Sequence, residues 1–396
     1  MSPWRTTLRK WDRRVAVLLG LLAIILLLPV GEERQEVPPV AVPSAADSVT
    51  IVAGARYEEG PLHRFLLGKG YRELWVEPIV VPVLDLEEFA GGLTPMRTGG
   101  GMQTRSLRFL SADSVEYVFR SIDKNPTLMI KPPFRRSLYA HVVQDQTASA
   151  HPGGPLIVPG LLDAVGVLHA EPYLAVLPDD PRLGAYREEF GGMLGILEES
   201  PNERPGPRPG FAGATHIEDT DVMLGKLSSA SLQQVDARAF LVARLIDLVV
   251  NDWDRHEDQW RWAGWYRDSE TPMVWKPIPR DRDQAFASYG GVFPSLARLI
   301  APRQVSFGPE YTGLNGLAHN SRNIDRTILA PLPEPAWDSA VTFVQSRLTD
   351  SVIDTAVRRM PDPWWRISGP ELSATLKARR ELLPKVAAQL RRRLVT

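Results

Sequence analysis

The sequence predicts an α+β protein of two unlike halves behind an N-terminal membrane helix. Three observations carry that expectation. Residues 49–200 are a succession of short runs with strand character, and residues 211–396 turn to helical periodicity. Between them PNERPGPRPG (201–210) sets four prolines and two glycines at a joint.

Composition narrows the classes. The chain has 396 residues, 44% hydrophobic and 23% charged, which excludes a disordered or collagen-like protein. Basic and acidic residues number 46 and 47, so no overall field directs the chain to nucleic acid. Cysteine is absent, which excludes disulfides, a thiolate nucleophile, iron–sulfur clusters and cysteine-ligated zinc. With 35 prolines and 30 glycines, turns should be plentiful and long regular helices few.

Val15 to Gly31 is uncharged and almost wholly apolar, and Arg5, Arg9, Lys10, Arg13 and Arg14 precede it. That layout predicts a signal anchor over residues 1–31, spanning the membrane through residues 15–31. The positive-inside rule leaves the N-terminus cytoplasmic and the body extracytoplasmic, in the periplasm. A cleaved signal peptide, which would make the chain secreted, and a buried core helix are the competing readings. Residues 32–48, rich in Pro, Ala and charge, read as a linker.

The β-rich half follows. Its runs are WVEPIVVPVLDL (75–86), Thr104 to Leu110, Val115 to Ile122, Tyr173 to Leu177 and Met193 to Leu197. Past the joint, Ser231 and Gln234 have capping-box spacing ahead of Val235, Val242, Leu245, Ile246 and Val249. Further helices are expected at Ala336–Arg347, Asp350–Arg359 and Pro370–Leu394, the last interrupted near Pro384. Its end, Lys377 to Arg393, carries seven basic residues and one acidic, either as a solvated helix face or as a surface for anionic lipid.

Val250 to Phe286 holds the densest chemistry. Asp252, Asp254, His256, Glu257 and Asp258 crowd seven residues after the strongest predicted helix. A strand over Met273 to Ile278 then runs into Asp281 and Asp283. Five of eleven tryptophans fall between Trp253 and Trp275, so a Trp-rich core edged by a salt-bridged acidic loop is the plain structural alternative. Carboxylates from a helix end and a strand end together suit phosphoryl transfer. One orients a hydroxyl, and others hold an oxygen-loving divalent cation such as Mg2+ or Mn2+ against phosphates.

Asp254-Arg255-His256 resembles the Asp-Arg-His loop of atypical kinases: phosphatidylinositol kinases, HipA-like kinases, spore-coat CotH kinases and secretory-pathway casein kinases. Arg280-Asp281-Arg282-Asp283 resembles their later metal-binding motif, closest to the Asp-x-Asp form of the CotH kinases. The resemblance implies a two-lobed protein-kinase-like fold with a β-rich N-lobe and a helical C-lobe. It makes Asp254 the catalytic residue and Asp281 or Asp283 the metal ligand. The phosphatidylinositol kinases place a metal-binding Asn five residues after the Asp; Gln259 stands there, with Asp258 beside it.

For ATP, the turn Gly99-Gly100-Gly101 lies where backbone amides can approach phosphates, although it matches neither GxGxxG nor the P-loop. Arg120 and Lys124 are the candidate phosphate-contacting bases, Arg120 standing near the families' usual Lys. Glu171, Glu188 and Glu189 are options for an acidic partner of that base. Parts of residues 57–109 also look similar to bacterial envelope proteins.

The expected function is therefore a membrane-anchored extracytoplasmic kinase transferring the ATP γ-phosphate to a protein, glycan or lipid hydroxyl. The alternatives are a catalytically inactive kinase-fold scaffold, an AMP transferase, or a metal-dependent phosphohydrolase using the same carboxylates.

Overall fold

The computed structural model describes residues 27–29, 41–99, 103–204, 208–229, 232–266, 271–295 and 304–396. The apolar segment 15–31, apart from Leu27–Pro29, thus lies outside the described residues, as do Gly100, Gly101 and Ser231. Among the described residues no helix is long and apolar enough to cross a membrane.

The fold is mixed α+β. Strands β1 (Ser48–Ile51) and β2 (Ile79–Pro82) form an antiparallel pair. Between them in sequence lie α1 (Pro61–Leu67) and α2 (Arg72–Val76). A five-stranded sheet contains β3 (Leu93–Gly99), β4 (Ser106–Ser111), β5 (Glu116–Ser121), β6 (Tyr173–Val176) and β7 (Leu194–Glu199), ordered β3-β4-β5-β7-β6 with every neighbour antiparallel.

The period-2 pattern of β5 decides what each sheet face does. Phe119 pairs with Leu107 and Leu197 and packs with Phe109 and Ala175 in a small apolar core. Val118 and Arg120 point the other way. Gly195 on β7 lets Phe119 sit flush, because a Cβ there would lie 2.3 Å from the Phe119 ring.

The β-rich half also carries helices that the sequence reading did not assign. Besides α1 and α2, that half contains α3 (Leu138–Asp145) and α4 (Gly154–Ala164). Helix α4 buries Leu156, Ile157, Val158, Leu161 and Leu162 in the main core, its apolar residues too continuous to separate helix from strand by periodicity alone.

The C-terminal half holds a second sheet, β8 (His216–Asp219), β9 (Gln233–Val235), β10 (Trp260–Gly264) and β11 (Met273–Pro279), ordered β8-β10-β11-β9. Helix α5 (Thr220–Ser229) precedes β9. At the centre, α6 (Ala237–Val250) is buried at every residue from Phe240 to Val250. Its cap is Asp236, which accepts from the Ala239 amide at 2.8 Å, so the Ser231–Gln234 box is not the start; Gln234 belongs to β9. The tryptophans do core work: Trp260 and Trp262 pack on Phe240 with ring centroids at 4.9 and 5.5 Å.

Around α6 lie α7 (Arg322–Leu329), α8 (Glu334–Arg347), α9 (Asp350–Val357) and α10 (Asp362–Val395). Helix α10 runs 34 residues through Pro370 and Pro384, against the expectations of short helices and a break near Pro384. Leu372, Leu376, Leu383, Val386 and Leu390 bury one continuous stripe, and tertiary packing outweighs the backbone bond each proline forfeits. The basic end of this helix is not merely a solvated face. Arg379 is fully buried and donates to the carbonyls of Val249 (2.7 Å) and Leu248 (2.7 Å) in the last turn of α6.

Candidate active site in the cleft between the halves

Helix α6 ends at Asn251, whose left-handed backbone (φ 60°) is the conformation a helix terminator needs and Asn tolerates. Its amide donates to the Asp247 and Leu248 carbonyls, its side chain donates to the Val305 carbonyl at 2.7 Å, and Arg379 donates to its Oδ1 at 3.2 Å. The loop 252–259 therefore leaves the helix from a pinned origin. Strand β11, hydrogen-bonded to β10, delivers residues 280–283 beside it.

Arg255 ties the two segments together. Its buried guanidinium donates to the carbonyls of Arg280 (2.6 Å), Asp281 (3.1 Å) and Gln259 (3.0 Å), and it lies 4.7 Å from the Trp260 ring centroid. The Arg of the Asp-Arg-His triplet is thus a positioning group that clamps the Asp254 loop to the Asp281 turn. Beneath it lies a buried network. Asp247 receives Arg244 and Arg282, and Arg244 also reaches Asp325 and Ser321. Asp252 lies 3.2 Å from Arg282, while its other carboxylate oxygen is buried without a hydrogen-bond partner among the described residues. Burial, reinforced by the neighbouring Asp247 and Asp254 charges and opposed by Arg255 and Arg282, pushes the Asp252 carboxyl up to about 6.

One cavity between the five-stranded sheet and this turn is lined by Arg120, Lys124, Glu198, Asp281, Arg282 and Asp283, among others. Four sequence-predicted residues from two distant stretches therefore meet: Arg120 and Lys124 on one side, Asp281 and Asp283 on the other. Lys124 is ion-paired with Asp283. Arg120 reaches Glu198 on β7 at 2.9 Å. Thr104, from the β3–β4 turn that begins at Gly99, lines the same cavity. The Gly99 carbonyl accepts from Ser106 Oγ, and Gly100 and Gly101 lie outside the described residues.

The loop that carries Lys124 is braced. Gln144 donates to the Lys124 carbonyl (2.7 Å) and to Tyr57 Oη (2.9 Å). Tyr57 in turn donates to Asp123 at 2.6 Å, and Arg56 pairs with the same carboxylate. Burial pulls the Lys124 ammonium down from its ordinary value, with Arg120 acting in the same sense and Asp281, Asp254 and Asp252 opposing. At Asp281 burial favours the neutral acid, but Lys124, Arg120, Arg255 and Arg280 together hold the carboxyl below its usual range. Asp281 also adopts φ 51°, unusual for a residue with a side chain and a form of backbone strain that gathers at functional sites.

Asp254 stands apart from the cavity lining. It is half-buried, accepts from Asn320 Nδ2 at 2.8 Å, and has no ion pair among the described residues. Its charge nonetheless acts on Lys124 and Asp252. Gln259 is not a lining residue either; its amide nitrogen lies 3.4 Å from His256 Nε2, while its carbonyl serves Arg255 and the Arg280 amide. Glu171 pairs with Arg359, and Glu188 and Glu189 sit on a single exposed turn, so none of them faces Arg120. The acid that does is Glu198, which strand pairing, not a helix, supplies. Burial pushes its carboxyl up, with Arg120 opposing.

Sequence reasoning did not single out Glu198 or Asn320; Asn320 lies 66 positions from Asp254, and no local signal marks it. Arg280 belongs to the Arg280–Asp283 motif itself. It lines a smaller neighbouring cavity with Arg120, His169 and Glu198, and has no ion pair among the described residues. Burial, and then crowding by Arg120, Arg261 and Arg108, pulls its guanidinium down to about 10, with Asp281 opposing.

No family profile matches the chain, and no curated protein matches it. Among solved structures, a Helicobacter pylori proinflammatory kinase, CtkA, aligns with a TM-score of 0.37 and 10% identity, covering 76% of this chain and 95% of that one. A likeness of that degree is one of broad outline and carries no conclusion about activity or ligand.

Proposed function

We propose that this chain is an atypical kinase-like phosphotransferase, anchored in the membrane by residues 15–31, with its body outside the cytoplasm. The observation that carries the reading is the convergence of Arg120 and Lys124 with Asp281 and Asp283 on one cavity, with the Asp254 loop clamped to the same turn by Arg255. In this reading Lys124 and Arg120, with the glycines 99–101 that end and follow β3 in sequence, contact the ATP phosphates. Asp254, held by Asn320, orients the acceptor hydroxyl and takes its proton.

Asp281 and Asp283 fit Mg2+ or Mn2+: both are carboxylates, and surrounding cations keep Asp281 ionised. A cation held there would neutralise charge on the transferring phosphoryl group. Gln259 is proposed only as a carbonyl donor to a second ion and would have to turn away from His256 to serve. The cavity spans about 60 Å³, well below nucleotide size, and the Lys124–Asp283 pair lies in its lining. Ligand entry therefore exchanges that pair, Lys124 for phosphate and Asp283 for metal.

The same ion pair, together with Gln259 turned to His256, favours a second reading, an inactive kinase-fold scaffold in the envelope. Purified full-length chain in mild detergent, given magnesium and ATP labelled at the γ or the α phosphate, separates the readings. Label on an acceptor or on the chain itself from the γ position, lost in Asp254→Asn and Asp281→Asn, supports the kinase. Transfer from the α position indicates an AMP transferase, and free phosphate alone a phosphohydrolase. Absence of both nucleotide binding and turnover leaves the scaffold.

A further inference from the structure

Residues Pro126 to Gln144 contain Lys131, Arg135 and Arg136 and no acidic residue. Two single-turn helices, Pro126–Met129 and Pro132–Phe134, lead into α3. Arg135 folds them into one unit, donating to the carbonyls of Ile130 and Leu128 at 2.9 Å each. Ser137 joins that unit to α3 by capping the Ala140 amide while donating to the Phe134 carbonyl at 2.6 Å.

The unit turns apolar side chains outward. Met129 is 54% exposed, Tyr139 43%, Phe134 39% and Leu138 37%. Pro29 bridges to Ser137 in the middle of it, which brings the exposed Leu27 and Leu28 alongside. Those three residues are the end of the uncharged segment 15–31. Large apolar side chains clustered on one small surface beside the end of an apolar segment are the makings of an interfacial membrane contact rather than a solvated face.

We propose that the face formed by residues 126–139 with Leu27–Pro29 rests on the bilayer, its aromatic and aliphatic side chains entering the interface and Lys131 meeting anionic headgroups. The inference rests on the reading of residues 15–31 as the anchor and deepens it, since it fixes which side of the body faces the membrane. Helix α3 runs from that face to Gln144, which holds the Lys124 loop. The docked face and the cleft are thus mechanically joined through one short helix.

The natural chain has no cysteine, so single thiols are unambiguous reporters. Full-length Met129→Cys, Phe134→Cys and Tyr139→Cys, with Tyr266→Cys and Leu382→Cys as exposed controls, are labelled with bimane. Each is placed in nanodiscs with or without anionic phosphatidylglycerol, and lipids carrying a shallow doxyl quencher report contact. The expected result is quenching several-fold stronger at the three face positions than at the controls. It should be greater with anionic lipid, and Lys131→Glu should reduce that increment while leaving melting unchanged. Quenching equal to the controls overturns the proposal. So does a blue-shifted probe that lipid quencher does not reach, because a protein surface then covers the face. Failure of the chain to stay in the disc after alkaline carbonate removes the anchor reading itself. Retention without face-specific quenching removes only the docking inference.

Discussion

His151 gives a direct test of how the cleft floor is built. It is 1% exposed, lies edge-on to Tyr71 (4.6 Å between ring centroids) and Phe286 (5.9 Å), and lines the cavity. Nδ1 accepts from the Gly153 amide at 3.1 Å, and Nε2 lies 3.1 Å from Ser368 Oγ. Burial pushes its pKa down from 6.5 to about 3. Between those values the unfolded chain binds a proton that the folded chain refuses, so stability rises with pH through this window and is lost as pH falls. Each unit of pH inside the window is worth about 1.4 kcal/mol, so acidification from pH 7.5 to 4.5 should cost about 3 kcal/mol through this residue alone. His151→Leu removes that proton linkage while leaving the Gly153 amide unpaired, at a pH-independent cost of about 1–3 kcal/mol. Urea denaturation followed by tryptophan fluorescence at the two pH values measures both quantities. The variant should start less stable at pH 7.5 and lose markedly less on acidification. Equal acid losses in both proteins would refute a buried neutral imidazole at this site.

Arg280→Gln should leave thermal stability unchanged or raised, since a buried cation crowded by Arg120, Arg261 and Arg108 is removed, yet weaken Mg-ATP or tripolyphosphate binding at least tenfold. Calorimetry with each ligand checks both signs. Arg255→Met strips three carbonyls and two nearby carboxylates of their cation and should destabilise the fold by about 3–5 kcal/mol. Arg255→Lys should regain part of the stability in urea melts while turnover stays low, because an ammonium cannot span the three acceptors of the fork. Pro384→Ala, at an exposed interior position of α10, should raise stability by about 1–3 kcal/mol, read as a higher urea midpoint.

Much of the strand pattern was legible because it is local. The runs at 115–122, 173–177, 193–197 and 273–278 alternate or cluster strongly enough to fall on β5, β6, β7 and β11. Helix α4 was not legible, because a fully buried helix and a buried strand present the same unbroken apolar run. The start of α6 was misplaced for a related reason. Several residues before it have capping chemistry, and only the position of β9 decides that Asp236 is the cap.

By itself the sequence determined the residue types the chemistry needs: Asp254 after the strongest helix, Asp281 and Asp283 after a strand, Arg120 and Lys124 near a glycine turn, and no thiol anywhere. Only the tertiary structure decided which of them meet. Strand pairing set Glu198 opposite Val118 and so within reach of Arg120, the reach of Arg255 locked the loop after α6 to the turn after β11, and Asn320 arrived beside Asp254 from 66 residues away. The reason is physical. Side-chain chemistry and period are properties of neighbours in the chain. Pairing two charges more than 150 residues apart, such as Lys124 and Asp283, depends on how buried faces pack, and that is settled only when the whole core closes.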